Sequence, residues 1–186
     1  MSTLVEQAHA VLAKRLRDGD VAIDATVGNG HDTEFLARAV GPTGRVYGFD
    51  VQQAALDASW QRLDSAGLAE RVTLFHAGHE TMAMQLPQGL RAQVQVVMFN
   101  LGYLPGSDKQ CRTGIATSIS ALQQAVEFLA EGGLLSIMAY TAHPGGAEET
   151  AAVRAWVTAL PARYHAALLR PQGTRVSPPE WWLVQG

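Results

Sequence analysis

The sequence of 186 residues has little cysteine, few charged residues and no long apolar run. Its single cysteine, Cys111, excludes an internal disulfide and a paired-cysteine zinc site. No apolar run approaches the ~18 residues that a membrane-spanning helix requires, and the N-terminus lacks the basic-then-apolar pattern of an export signal. We therefore expect a cytoplasmic protein with one domain over residues 1–186, because this length supports a single hydrophobic core.

Positive charge is also scarce, and it is unevenly placed. The net charge of −3 argues against a protein that coats nucleic acid without specificity. Residues 1–150 carry 10 basic and 16 acidic side chains, whereas residues 151–186 carry four arginines and one acid. This asymmetry would favour an anionic partner on one face. Four solvated arginines are the alternative, and charge alone does not decide between the two.

Short apolar runs alternate with stretches of helical periodicity along the chain. A capping-box pattern at Thr3 and Glu6 predicts a first helix over 3–16, and Gly132-Gly133 is expected to end the fifth. The predicted strands cover 21–25, 45–50, 72–75, 94–99, 134–141, 164–169 and 181–184, and the later helices 32–40, 52–66, 80–86, 117–130 and 147–159. This alternation predicts an α/β fold, a mostly parallel sheet with helices on both faces. The short connection between the last two strands favours an antiparallel pair.

A glycine-containing loop joins the first predicted strand to the next helix. Glycines at such a turn let the backbone approach a ligand, and the helix start offers free N–H groups. Gly-x-Gly alone is a weak signal, but its place after the first strand of an alternating chain strengthens it. We expect this loop to bind a cofactor through Asp24, Thr26, Gly28, Asn29, Gly30, His31 and Asp32.

Asp50 ends the second predicted strand, 20 residues after Gly30. An acid in this place accepts the ribose hydroxyls of an adenosine-containing cofactor, although a helix N-cap is the alternative. The loop lacks the third Gly or Ala of the dinucleotide fingerprint. Asp24 would repel a pyrophosphate but tolerate a sulfonium ligand that carries an ammonium group. The pattern therefore favours S-adenosylmethionine, and an NAD(P)-binding oxidoreductase stays the alternative.

The segment Asn-Leu-Gly-Tyr-Leu-Pro-Gly at 100–106 follows the fourth predicted strand and should open on the same sheet edge as the cofactor loop. The amide oxygen of Asn100 can accept a hydrogen bond from an amine, and the ring of Tyr103 can stack on a planar base. The segment resembles the Asp-Pro-Pro-Tyr loop of enzymes that methylate amino nitrogens. A tight turn with a packing tyrosine is the alternative.

Five segments together carry a more specific resemblance. They are Asp-Ala-Thr-Val-Gly-Asn-Gly-His-Asp-Thr at 24–33, Gly-Phe-Asp-Val-Gln at 48–52, Gly-His-Glu at 78–80, Asn-Leu-Gly-Tyr-Leu-Pro-Gly-Ser-Asp-Lys at 100–109 and His-Pro-Gly-Gly at 143–146. In this order they resemble the small class I methyltransferases long labelled rRNA methylases. Characterised members of that family methylate the amine of 5-aminomethyl-(2-thio)uridine at the tRNA wobble position. The similarity spans nearly the whole chain.

The resemblance implies the Rossmann-like class I fold with a seven-stranded sheet and an antiparallel last strand. It also implies a set of cofactor contacts: Asn29 and His31 at the methionine end, Asp50 and Gln52 at the ribose and adenine, and Gly78 and His79 at the adenine edge. The chain departs from the family pattern in two places. Gly78 stands where a serine is common, and residues 110–118 replace a threonine-rich Pro-Glu-Thr-Thr segment.

These expectations combine into a mechanism in which a neutral amine attacks the methyl group in one displacement. Asn100, or the carbonyl of Leu101 next to Gly102, would orient the amine lone pair, and Tyr103 would clamp the uracil ring. The candidates for holding phosphate or ribose, or for taking up the proton, are Asp108, Lys109 and His143. The expected partner is tRNA at its anticodon region.

Other functions are compatible with the same residues. Methylation of rRNA or of a small molecule would keep every residue role and change only the substrate. A protein that binds S-adenosylmethionine without catalysis is a further alternative, and a homodimer would widen the RNA-binding surface. His76, His79 and Glu80 lack a third well-spaced ligand, so no metal is expected.

Overall fold

The computed structural model of the protein describes residues 3–102, 113–169 and 179–186. The strands are β1 Val21–Asp24, β2 Arg45–Asp50, β3 Val72–His76, β4 Val94–Leu101, β5 Leu129–Ala139, β6 His165–Leu169 and β7 Glu180–Gln185. The α-helices are α1 Leu4–Leu12, α2 His31–Ala39, α3 Gln53–Ser65, α4 Met82–Gln85, α5 Ile115–Phe128 and α6 Gly146–Thr158. Short 3-10 helices cover Ala69–Arg71, His79–Thr81 and Gln88–Leu90.

The described strands form one sheet in the order β3-β2-β1-β4-β5-β7-β6. Strands β1 to β5 pair in parallel, and β7 runs antiparallel to both β5 and β6. The α/β fold and the antiparallel last strand that the sequence predicted are confirmed. Because β1 lies between β2 and β4, the strand order reverses there, which is where open α/β sheets bind ligands.

Two hydrophobic clusters cover the two faces of this sheet. Alternate residues of β4 contribute to each, with Val97 and Phe99 in one cluster and Val96 and Met98 in the other. The first cluster is completed by side chains of α4, α5 and α6, the second by side chains of α1, α2 and α3. This alternation is the expected pattern for a strand buried on both faces. It also determines the face of the sheet to which each side chain at the end of β4 points.

Several element boundaries differ from the prediction. Helix α1 ends at Leu12 instead of residue 16, because the chain tightens there into a turn closed by hydrogen bonds such as Arg15 N–H to Leu12 O, 2.9 Å. Helix α5 begins two residues earlier than predicted, at Ile115. Strand β4 continues through Asn100 and Leu101, which pair with β5, so Asn100 stands at the end of a strand instead of in a loop.

The prediction that Gly132-Gly133 ends a helix is wrong. Helix α5 ends at Phe128, and β5 begins at Leu129 and runs through both glycines. The pairing of β5 with β4 shifts there, since Val94 pairs with Leu129 but Val96 with Leu134. A side chain at Gly133 would meet the carbonyl oxygens of Ala130 and Val94 at 2.9 Å. The glycines therefore accommodate an irregularity in a strand.

Within the described ranges, no helix has the length and apolarity needed to cross a bilayer.

Candidate functional site

A cleft of about 740 Å³ opens at the carboxyl edge of the sheet, above β1, β2 and β4. Most of the residues that the sequence singled out line it. They are Thr26, Gly28, Asn29, His31, Asp32, Asp50, Gln52, Gly78, His79, Asn100, Gly102 and His143. The edge predicted from strand order is therefore the edge at which these side chains meet.

The remaining predicted residues fall into two groups. Asp24, Gly30 and Leu101 are buried next to the cleft instead of lining it. Tyr103, Asp108 and Lys109 lie outside the described residues, as does Cys111.

The loop after β1 is held in an unusual backbone shape by side chains of α3. Gly28 and Gly30 have φ angles of 51° and 76°, in the left-handed region that favours glycine. The Ser59 hydroxyl donates to the Gly28 carbonyl at 2.8 Å, and Arg62 Nε donates to the Asn29 carbonyl at 3.0 Å. Because a carbonyl engaged by α3 cannot rotate freely, the loop is fixed before any ligand arrives.

Asp50 sits at the end of β2 and ties two loops together. Its Oδ2 accepts from Gly28 N–H and its Oδ1 from Gln52 N–H, each at 2.8 Å. A carboxylate oxygen accepts more than one hydrogen bond. Asp50 lines the cleft, so it keeps acceptor capacity for a ligand hydroxyl.

Asp24 lies under the loop with no exposed surface. Its oxygens accept from the Thr33 hydroxyl at 2.6 Å and from Thr26 N–H at 3.1 Å. Burial, together with the negative charge of Asp32, raises the pKa of Asp24 to about 7. Near neutral pH Asp24 is therefore only partly ionised, and a cation bound in the adjacent cleft would favour its charged form.

Asn100 and Asp32 meet across the cleft. Asn100 Nδ2 donates to Asp32 Oδ2 at 2.7 Å, and the backbone N–H of Asn100 donates to the Thr26 hydroxyl at 2.8 Å. The second oxygen of Asp32, Oδ1, lies 2.6 Å from Nε2 of His9 on α1. A carboxylate only accepts, so Asn100 must turn its NH₂ group toward Asp32 and its amide oxygen away from it.

His79 packs into the wall of the cleft beside Phe99. Its Nδ1 lies 3.2 Å from the carbonyl oxygen of Ala25, which can only accept, so Nδ1 carries the proton. Burial lowers the pKa of His79 and keeps the ring neutral.

Sequence reasoning missed three residues that complete the site. Tyr140, just after β5, and Thr113, just before α5, line the cleft. Glu149 on α6 is 3% exposed and accepts from the hydroxyls of Thr113 at 2.8 Å and Ser118 at 2.6 Å. Tyr140 could have been found from its place at a strand end, but the contact between α6 and the start of α5 has no local signal.

Comparisons with known proteins identify the family of the chain. A family profile described as Putative rRNA methylase matches residues 46–185. The chain is 42% identical over 164 residues to the tRNA (mnm(5)s(2)U34)-methyltransferase, chloroplastic, of Arabidopsis thaliana. That alignment covers 84% of this chain but 59% of the relative, so the chain spans well under two thirds of the relative's length.

Several solved structures match the whole chain. A protein described as a putative rRNA-methylase from Clostridium thermocellum is 33% identical, with a TM-score of 0.92 over 100% of this chain and 98% of that one. A protein described as a putative methyltransferase from Streptococcus mutans, crystallised in complex with SAH, is 32% identical, with a TM-score of 0.86 and the same coverage. The family match and these two likenesses establish that the chain belongs to the rRNA methylase family of methyltransferases, as its motifs indicated.

Proposed function

We propose that the protein is an S-adenosylmethionine-dependent N-methyltransferase whose substrate is the aminomethyl group of 5-aminomethyl-(2-thio)uridine at the tRNA wobble position. The observation that carries this proposal is the carboxamide of Asn100, held by Asp32 at the carboxyl edge of β4. Its amide oxygen is a hydrogen-bond acceptor for an amine. The Arabidopsis relative, with its tRNA methyltransferase name, supports the choice of RNA.

The residues of the cleft fit the cofactor. A volume of about 740 Å³ lies within the range of roughly 300–1,000 Å³ that small-molecule sites occupy. Asp50 offers carboxylate oxygens for ribose hydroxyls, and Gly28, which has no side chain, lets a ligand come close to the loop where it lines the cleft. Asp32 lines the cleft and offers a carboxylate to the ligand's cationic groups, and a cation there would also favour the ionised form of Asp24. The proposed cofactor site is completed by Thr26, Asn29, Gly30, His31, Gln52, Gly78 and His79.

S-adenosylmethionine, when bound, supplies a methyl group on a positively charged sulfur. The chain must keep the acceptor amine neutral and hold its nitrogen in place. Asn100 would accept an N–H of the amine and so direct its lone pair. Restricted contact with water would lower the pKa of the amine and favour its neutral form. Leu101, Gly102, Tyr103, Asp108, Lys109 and His143 remain proposed substrate-side residues.

A methyl-transfer assay tests this function. Purified protein receives labelled S-adenosylmethionine with tRNA from cells that lack the gene, with rRNA, or with no RNA, and nucleosides of labelled RNA are analysed by mass spectrometry. We expect label in tRNA as the 5-methylaminomethyl derivative. Label in rRNA alone would refute the proposed substrate while retaining the cofactor.

A separate calorimetric experiment tests whether the protein binds the cofactor. Calorimetry with S-adenosylhomocysteine is expected to show binding to the unaltered chain and a loss of about tenfold or more for Asp50→Ala, because hydrogen bonds to charged groups contribute roughly 1.5–3 kcal/mol. Asp57→Ala, an exposed acid on α3, is the matched control. No binding to the unaltered chain would refute the cofactor assignment.

A further inference from the structure

Helix α1 places a histidine against the proposed active site. His9 Nε2 lies 2.6 Å from Asp32 Oδ1, and its ring stacks on Phe35 at 3.9 Å between centroids and 6° between planes. The contact is partly shielded, with side-chain exposures of 22% for His9 and 11% for Asp32. A stacked ring cannot swing away easily, so its nitrogen is held at the carboxylate.

Asp32 in turn determines how Asn100 is oriented. One carboxylate oxygen faces His9, and the other accepts from Asn100 Nδ2 at 2.7 Å. Rotation of the Asp32 side chain would break both contacts at once. Since Asn100 can present either its oxygen or its NH₂ group to a ligand, the acceptor-only carboxylate is what selects the oxygen.

We propose that His9 is a positioning residue that acts through Asp32 to hold Asn100 with its amide oxygen turned toward the acceptor amine. This role rests on the proposed function. It requires no direct contact between His9 and the substrate, and His9 is not among the residues that line the cleft. The geometry assigns the role to α1, which precedes the region 46–185 matched by the family profile.

The surroundings of α1 are suited to this task. A capping box at Thr3 and Glu6 begins the helix, with hydrogen bonds of 2.7 and 3.2 Å. Ala8, the neighbour of His9, packs with Met138 of β5 and Trp181 of β7. The helix is therefore fixed to the sheet on one side while His9 reaches Asp32 on another. Preorganised support of this kind is what holds a reactive geometry within a few tenths of an ångström.

A measurement that needs no turnover tests the arrangement. In ¹⁵N-labelled protein, the side-chain NH₂ signals of Asn100, identified by their loss in Asn100→Ala, report the hydrogen bond to Asp32. In His9→Phe, which keeps the ring stacked on Phe35 but removes the nitrogen, we expect these signals to move toward those of a solvated amide. His9→Gln keeps a donor and is expected to preserve them.

Unchanged Asn100 signals in a folded His9→Phe protein would overturn the proposal. Should that variant fail to fold, His9→Leu removes the same nitrogen with a smaller side chain. We expect the Asn100 signals to move there as well, and their persistence would overturn the proposal equally. Neither result depends on which substrate the enzyme uses, so a failure of the proposed function is distinguishable from a failure here.

Steady-state kinetics provide a second test. They are measured with any acceptor that the unaltered enzyme methylates. We expect His9→Phe to lower kcat by ~10- to 100-fold through misplacement of the acceptor, with little change in KM for the cofactor, and His9→Gln to restore most of it. In the double variant, His9→Phe should cause no loss of kcat beyond that of Asn100→Ala alone. The effects of two substitutions are not additive when the residues act through one contact. Independent, multiplying losses would contradict the proposal.

Discussion

At the residue scale, the site depends on what each polar side chain accepts or donates. Asp50 accepts two backbone N–H groups, Asp24 accepts a hydroxyl and a backbone N–H, and Asp32 accepts from Asn100. Three carboxyl groups stand at adjacent strand and helix ends, and burial together with the charges of Asp32 and Asp50 raises the pKa of Asp24. A cation above them would relieve this repulsion, and a sulfonium with an ammonium group supplies one.

Asn100→Ala is expected to lower kcat by ~100-fold or more, because an oriented hydrogen-bond partner of the reacting group is lost. Binding of S-adenosylhomocysteine should change little, since Asn100 is assigned to the acceptor. Steady-state kinetics and calorimetry measure the two effects. Gln93→Ala, an exposed amide just before β4, serves as the control. Equal losses in turnover and cofactor binding would contradict the role given to Asn100.

Asp24 predicts a pH dependence of stability. Its pKa is about 7 in the folded protein and 3.8 when exposed, so between these values the folded chain binds a proton that the unfolded chain has released. Stability therefore falls as pH rises through this window, by at most about 4 kcal/mol, and is level above it. Denaturant unfolding at pH 4.5 and 7.5 should show a smaller fall in Asp24→Asn than in the unaltered chain. Identical falls would show that Asp24 ionises normally.

At the scale of elements, sequence reasoning succeeded where the signal is local. The alternation of apolar runs and helical periods located all seven strands of the described chain, and the strand order then gathers the predicted site residues at one edge. It failed at Gly132-Gly133, because glycine pairs suit both helix ends and strand irregularities. Only the pairing with Val94 and Val96 distinguishes the two, and that contact is not local.

The same reason explains which site residues were missed. His9, Thr113 and Glu149 each act through a partner more than 20 residues away in sequence. Asn100 was found because its motif is specific, although it was placed in a loop instead of at the end of β4.

The left-handed turn before α2 is expected to be intolerant of a side chain. A Cβ at Gly30, with φ of 76°, would lie 2.7 to 3.0 Å from atoms of Ser59, one of them backbone. Gly30→Ala should lower the free energy of unfolding by about 2–4 kcal/mol, from backbone strain plus overpacking. Gly67 has a similar φ of 67° and open space around it, so Gly67→Ala should cost only about 1 kcal/mol. Equal losses in the free energy of unfolding for the two variants, measured by chemical denaturation, would show that contact with Ser59 adds no cost at Gly30.

Glu149 joins α6 to the start of α5. Replacing it with alanine leaves the buried Ser118 hydroxyl without its acceptor, whereas the part-buried Thr113 hydroxyl keeps the Gly102 carbonyl oxygen at 3.4 Å. We expect a loss of about 1–3 kcal/mol in the free energy of unfolding, given the cost of an unsatisfied buried donor. Glu148, its exposed neighbour, is the control, and Glu148→Ala should stay within about 0.5 kcal/mol of the unaltered chain. A loss as small for Glu149→Ala would mean that this link contributes no stability.

At the scale of the whole molecule, the fold and the family agree with the sequence-based prediction, and substrate choice remains the proposal. The basic C-terminal region offers less free charge than its composition suggests, since Arg154 pairs with Glu180 and Arg163 lies over the ring of Tyr164. The homodimer stays a prediction, and sedimentation of the purified protein at several concentrations would test it.

Two matched RNAs test whether the aminomethyl group at the wobble position is the substrate. Both are anticodon stem-loops, identical except that one carries 5-aminomethyl-2-thiouridine at the wobble position and the other an unmodified uridine. With S-adenosylmethionine, we expect methylation of the aminomethyl nitrogen in the first and none in the second. Methylation of both, or of neither by protein that binds S-adenosylhomocysteine, would contradict this expectation.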